Sequence, residues 1–394
     1  MSQRKGYFAA ADILRVFAVF MVGWYHIWQQ SWLDPGFRLG SVYVNLQQVV
    51  RHGYVLVDVL LVISGFLLAL PVLREDGEPF SARDFYRKRF WRIFPSYAAA
   101  VLLALFLWVL PQGEYGSARF LWKDLFAHLT FTHNLFFDTY FMTPLPIVLW
   151  TMGVEVQFYL LFPLAALFLR EAPRLTCLTL LAAALAFRSW VYQLPDTTFY
   201  VNQLPGMLDL YACGMLAAYL YTRAPRPPRS FFVRFAAPVL CAVCFLLLIQ
   251  IMYWQPTGDY ERIRRAQLIS RLPIGVACGT FLFCGAQLPA GFDRVFGNPV
   301  TRFLSAVSYN FYIWHQTLAL RLKLGHIPPY AAENPSKAGE QPWQTLYTLL
   351  CFAAALAAAA FFTYFLEKPL SARAGRSRHN KEDGPNKAVP SGMS

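Results

Sequence analysis

The 394 residues are 57% hydrophobic and only 14% charged, with a mean hydropathy of +0.37 and a formal net charge of +13. Soluble domains carry about 25% charged residues, so most of this chain cannot face water. A nucleic-acid binder is also excluded. It would spread Lys and Arg over a polar surface, whereas here they occupy short gaps between apolar runs.

A membrane-spanning helix needs roughly 20 mostly apolar residues. Ten segments meet that need, at about 8–28, 53–73, 94–110, 146–169, 175–193, 204–222, 232–253, 268–288, 303–323 and 344–366. They predict an all-α polytopic bundle with no soluble domain. The first follows Arg4 and Lys5, but it holds Asp12 and Arg15 and lacks a small-x-small cleavage site. It reads as a retained helix and not as a signal peptide. The stretch 121–137 contains Lys123, Asp124, His128, His133 and Asn134, too polar to face lipid. An amphipathic or re-entrant piece in an outer loop suits it. Past residue 370 the chain turns polar, which predicts a membrane domain over 1–370 and a disordered, basic cytoplasmic tail over 371–394. There is no internal repeat of the kind that inverted-repeat transporters show.

Orientation follows from the cations. With the N-terminus inside, the inner segments hold 22 Lys and Arg and the outer ones 11. Both termini are therefore expected in the cytoplasm, and the protein in the plasma or inner membrane. Arg262, Arg264 and Arg265, on the outer side, run against that rule without explanation. All seven cysteines lie in apolar segments. The CxxC pair Cys241 and Cys244 reads as small buried residues, and no metal is expected.

Charges at membrane depth cost a few kcal/mol each and mark functional candidates. The first helix carries Asp12, Arg15 and His26. Eleven residues are about three turns and about 16 Å of rise, so Arg15 and His26 share a face at different depths. Asp12 is one turn before Arg15 and able to pair with it. A salt bridge plus an interfacial histidine fits this spacing as well as a site does. Asp58, Glu155, Asp209 and His315 come from four other helices and fall roughly 18–22 Å from their cytoplasmic ends, with His26 about 27 Å in. One shared polar layer reads as a cavity, although Asp209 with Arg188 also fits a structural ion pair. After the second helix, Arg87, Arg89 and Arg92 alternate with aromatics at the membrane boundary. Anionic lipid headgroups fit such a segment. So does a phosphate-rich ligand from the cytoplasm, because the Arg fork bonds two oxygens.

Taken together, these pieces resemble the acyltransferase-3 family of membrane acyltransferases. Asp12-Ile-Leu-Arg15 with His26 is similar to its Arg-x10-His signature. Asp58 to Phe66 resembles its second-helix motif, and residues 85–95 its Arg-rich motif ending in Ile-x-Pro. Trp150 to Tyr159 is similar to its Trp-Ser-x-x-Val-Glu-x-Gln-Phe-Tyr stretch, with Thr151 in place of Ser. Ser308 to His315 and Glu367-Lys368-Pro369 complete the set, in family order. The resemblance implies ten transmembrane helices and transfer of an acyl group, usually acetyl, from cytoplasmic acyl-CoA. The implied acceptor is a hydroxyl on an extracytoplasmic or lipid-linked carbohydrate, or on a small molecule such as a macrolide antibiotic. Some members carry an additional extracytoplasmic hydrolase-like domain. Arg87, Arg89 and Arg92 would hold the CoA phosphates, with Arg15 along the path of acetyl-CoA. His26 would be the general base or a transient acyl carrier, oriented by Glu155 or Asp58. Asp209, Trp314 and His315 would face the acceptor, His315 being equally readable as an interfacial histidine. The expected partners are acyl-CoA, the hydroxyl acceptor and the bilayer; nucleic acid is not among them, and a homo-oligomer is left open. A transporter or flippase, or a structural partner in polysaccharide export, are the rival readings.

Overall fold

The computed structural model describes residues 8–74, 80–225, 231, 235–288 and 290–373. Arg4, Lys5 and the expected tail from 374 onward lie outside them. The chain runs through α1 (Ala9–Ser31), a hairpin of β1 (Gly36–Leu39) and β2 (Val42–Asn45), α2 (Val57–Leu73) and α3 (Ala82–Ala104). It continues through α4 (Ala118–Leu129), α5 (Trp150–Glu171), α6 (Pro173–Tyr192), α7 (Leu208–Arg223) and α8 (Ala237–Trp254). The last long elements are α9 (Tyr260–Gly285), α10 (Pro299–Leu324) and α11 (Trp343–Phe361). Helices that start in polar sequence carry side-chain caps. Ser81 accepts from the Asp84 amide, Asp259 from Glu261 and Asn298 from Thr301, and each satisfies an otherwise unpaired helix donor. The all-α expectation misses only the small antiparallel hairpin, whose turn uses Gly40 at φ 62°.

Among the described residues, eight helices are long and apolar enough to cross a membrane. The expected segments 204–222 and 303–323 are also helical, as α7 and α10, but fall outside that set. Helix α7 has only 16 residues. Helix α10 has 26, yet buries Ser305, Ser308, Asn310, His315 and Thr317. Its low apolarity comes from what it lines.

The burial pattern is inverted relative to a water-soluble fold. Leu160, Leu164, Leu167, Leu175, Leu178 and Leu246 are exposed, whereas Asp58, Arg188, Asp209, Arg271 and His315 are buried. Lipid tails are as apolar as leucine, so an outward leucine costs nothing there. The long helices alternate in direction. One end of the bundle gathers Phe8 against Phe66 and Tyr221, with ring centres 5.5 and 5.6 Å apart. At the other end Gln344 donates to Ser31 O (2.9 Å), Arg321 to Gln112 Oε1 (2.9 Å) and Arg265 to Leu194 O (3.2 Å).

Close approach of α2 and α7 depends on glycine. A Cβ added to Gly65 would lie 2.3 Å from the Tyr211 carbonyl oxygen, and one on Gly214 2.0 Å from that of Val62. These are backbone atoms, so the helices themselves must separate. Gly214→Ala is therefore expected to destabilise by about 1–3 kcal/mol. Thermal unfolding in detergent measures it against Gly116→Ala, where the added Cβ meets nothing within 4 Å.

The polar stretch 121–137 folds back into the bundle. On α4, Asp124 and His128 turn inward and lie 3.1 Å apart, while Trp122 and Phe126 face out. The following turn reaches α5, where Gln157 Nε2 donates to Asn134 Oδ1 (2.8 Å) and to Phe131 O (3.2 Å). Polar residues inside and aromatics outside are what a re-entrant piece requires.

Candidate active site

Three cavities adjoin one another along the bundle. A mouth of about 400 Å³ lies at the end where α3 begins. It shares Leu67, Arg89 and Arg92 with a middle cavity of about 140 Å³. The middle cavity in turn shares Tyr312 with a far chamber of about 490 Å³.

The mouth is a helical stripe. Phe85, Lys88, Arg89 and Arg92 line it from α3, at the i, i+3, i+4, i+7 spacing that places residues on one face. The Arg89 guanidinium lies over the rings of Phe85 (5.6 Å) and Tyr159 (5.1 Å), which leaves its N–H edge free. Arg87 is off this stripe and pairs with Asp84 at 3.2 Å. Of the three expected phosphate ligands, the structure brings two to the cavity and adds Lys88.

The middle cavity is strongly charged, with Arg15, Arg89, Arg92, Glu155 and Glu367 in its wall. Arg15 Nη1 is 3.3 Å from Asp12 Oδ1, as its spacing predicts, and 3.2 Å from Ser305 Oγ. Ser305 Oγ donates to the same Asp12 oxygen at 2.5 Å. Glu155 Oε1 accepts from Ser64 Oγ (3.2 Å) and from the Tyr159 hydroxyl one turn along α5. Asn310 Nδ2 holds Glu367 at 2.9 Å. Arg15, Glu155 and Glu367 are thus held by neighbours before any ligand arrives, while Arg89 keeps its N–H edge for one.

His26 lines the far chamber with Tyr25, Trp28, Gln29, Trp150 and Tyr312. Its Nδ1 lies 3.1 Å from Gln29 Oε1 and 3.2 Å from Gln316 Nε2. Among the described residues no hydrogen bond engages Nε2. The His315 ring stands 5.2 Å from that of His26, fully buried, with Nδ1 donating to Phe311 O at 3.2 Å. His315 is thus packed behind His26.

Four expected placements need correction. Glu155 lines the middle cavity and not the His26 chamber, so no carboxylate orients the imidazole; a single amide does, Gln29 when Nδ1 carries the proton and Gln316 when it does not. Asp58 pairs with buried Arg271 at 3.5 Å. Asp209 binds Arg188 at 2.7 Å, also buried. Burial forces each carboxylate to take a cation; the cations come from α6 and α9 and line none of the three cavities, although Arg271 Nη2 donates to Asn202 Oδ1 of the far chamber wall at 3.0 Å. Trp314 stacks on Phe362 at 4.7 Å and lies outside the chamber wall. Ser305 and Gln316 were not singled out from the sequence; Tyr159 entered only as part of a motif, and Ser64 as a residue permitting close helix packing. Lys88 and Gln29 were within reach of helical spacing, at i+3 from Phe85 and His26.

The family comparison fits this arrangement. The acyltransferase-3 family pattern, an acyltransferase domain, matches residues 8–364. The chain is 24% identical over 352 residues to the "Putative acetyltransferase ORF330" of Acidianus two-tailed virus, covering 86% of this chain and 93% of the relative. It is 24% identical over 334 residues to the peptidoglycan O-acetyltransferase OatA of Listeria monocytogenes, covering 79% of this chain and 49% of OatA. It is likewise 24% identical over 341 residues to the "Putative peptidoglycan O-acetyltransferase YrhL" of Bacillus subtilis, covering 80% and 49%. The chain thus spans about half the length of these two bacterial relatives. No solved structure matches it. With the family pattern spanning almost the whole bundle, the transporter and export-partner readings fall away: the chain belongs to the acyltransferase-3 family and is an acyltransferase.

Proposed function

We propose that the protein is a multi-pass membrane O-acyltransferase that moves an acyl group, typically acetyl, from acyl-CoA to a hydroxyl of a carbohydrate. The observation that carries this reading is the run of adjoining cavities from a cationic mouth to a histidine chamber. Helices α7 and α10 complete ten crossings, in keeping with the alternating directions. The Lys and Arg excess supports a cytoplasmic mouth and cytoplasmic termini, at the plasma or inner membrane. The peptidoglycan O-acetyltransferase names among the relatives favour a carbohydrate over a small-molecule acceptor.

In this reading the CoA phosphates rest on Lys88, Arg89 and Arg92. The pantetheine arm passes Arg15 and presents the thioester where Tyr312 borders both inner cavities. His26 Nε2 takes the proton of the acceptor hydroxyl as that oxygen attacks the thioester carbonyl carbon. The new C–O bond forms, the C–S bond breaks, and the imidazolium returns the proton to the departing CoA sulfur. Donation from Nδ1–H to Gln29 Oε1 is the tautomer that leaves Nε2 free. The Gln29 amide fills the orienting place that a carboxylate holds in a catalytic triad. Glu155 acts as a positioning residue, holding Tyr159 beneath Arg89.

The test is transfer of labelled acetyl-CoA by purified protein to a panel of carbohydrates and small alcohols, with no ion gradient. Label on a carbohydrate is expected; label that never leaves CoA across the panel overturns the reading. The mouth gives a separate prediction. Arg89→Gln and Arg92→Gln should each weaken acyl-CoA binding about tenfold or more, since a hydrogen bond to a charged group contributes about 1.5–3 kcal/mol. Arg87→Gln, off the cavity, should change it little. Calorimetry on detergent-purified protein checks all three.

A further inference from the structure

We infer that the acceptor is anionic: the far chamber binds a sugar whose carboxylate or phosphate is held by Arg51 and Arg264. This rests on the acyltransferase reading of that chamber. Its wall contains two arginines, and among the described residues lining it there is no Asp or Glu.

Arg51 is not neutralised, and Arg264 is only partly so. Arg51 lies over the Trp28 ring at 5.8 Å and pairs with no carboxylate among the described residues. Arg264 lies over Tyr260 at 6.0 Å. Stacking occupies the flat face of a guanidinium and leaves its N–H edge for a two-pronged bond to carboxylate or phosphate. Arg264 does contact Glu261, at 3.5 Å, but that carboxylate is shared. Arg265 Nε donates to it at 3.1 Å, and the Thr197 amide and hydroxyl at 3.3 and 3.2 Å. Glu261 is divided between two arginines, and the exposed Asp196 also acts on Arg264; both carboxylates lie outside the chamber wall, which leaves Arg51 as its uncompensated charge. Burial, which outweighs its hydrogen bond to Gln48 O, together with the neighbouring Arg51 holds His52 below the ordinary histidine range, so that ring adds no charge of its own.

The aromatic residues supply the rest of a sugar site. Trp32 and Trp150 line the same chamber as Gln29, Asn202 and Gln267, while Trp28 and Tyr260 carry the two arginines. Cations at this end of the bundle also oppose the topology that the rest of the chain obeys. A ligand that uses them accounts for Arg264, which the charge rule leaves unexplained.

The experiment measures binding by calorimetry in nanodiscs, without acyl-CoA, for three probes. These are a uronic-acid trisaccharide, its carboxyl-reduced neutral counterpart, and a hexose phosphate. At least one anionic probe should bind ten times more tightly than the neutral one, and Arg51→Gln with Arg264→Gln should erase that preference. Whichever anion binds more tightly identifies the group. Unchanged acyl-CoA affinity in the double variant shows that it is folded. Equal binding of charged and neutral probes, no binding by either anion, or a preference surviving in the double variant overturns the inference. Labelled acetyl-CoA is then added to the same samples. Anion-selective binding without transfer would count against the catalytic reading alone, and transfer to neutral sugars alone against the anionic acceptor alone.

Discussion

His26→Gln is expected to cut acyl transfer by about 10² to 10⁴-fold while sparing acyl-CoA affinity, the range typical for loss of a general base. Glutamine keeps a hydrogen-bonding side chain beside Gln29 and Gln316 but cannot accept a proton at neutral pH. In the proposed reading the phosphates rest on Arg89 and Arg92, which do not line the His26 chamber, so donor binding has no reason to change. A base works only when unprotonated. Wild-type transfer should therefore fall toward acid, whereas the residual rate of His26→Gln should not follow that profile. Turnover, acyl-CoA affinity and melting temperature for wild type, His26→Gln and His26→Ala provide the check. Near wild-type turnover in His26→Gln would reduce His26 to a structural polar group.

The largest loss of stability is expected at Asp209. Its carboxylate is buried against Arg188 at 2.7 Å. Asp209→Ala leaves that guanidinium buried and uncompensated, and breaking such a pair typically costs about 3–5 kcal/mol. Replacing both partners by apolar residues of similar size is often neutral. Arg188→Met with Asp209→Leu should therefore recover most of the loss in a detergent unfolding assay, with turnover recovering alongside. A stable double variant that cannot transfer would instead return Asp209 to the acceptor site, where the sequence had suggested it.

The sequence and the structure agree where a signal is local. The second span is read at 53–73 and built as Gly53–Leu73. The pairing of Asp12 with Arg15, one turn apart, needed only helical geometry. Agreement weakens where polar residues extend a helix. Helix α9 begins at Tyr260 and not at 268, because Asp259 caps it and Glu261 takes up charge from Arg264 and Arg265. It is lost where the partner is distant in the chain. Depth along a helix put Asp58, Asp209 and Glu155 in one layer, but rotation decides which neighbour each one meets. Asp58 turns to Arg271, Asp209 to Arg188, and Glu155 to the middle cavity. Trp314 shows the same limit: adjacent to His315 in sequence, it lies about 100° further round the helix and packs on Phe362.

Sided transfer in proteoliposomes tests the central claim most directly. Labelled acetyl-CoA is supplied only at the Arg89 and Arg92 face, the acceptor carbohydrate is enclosed at the His26 face, and no ion gradient is present. The account predicts label on the enclosed carbohydrate, reduced by Arg89→Gln and Arg92→Gln in proportion to their loss of acyl-CoA affinity. Label appearing only when donor and acceptor share a face would contradict it.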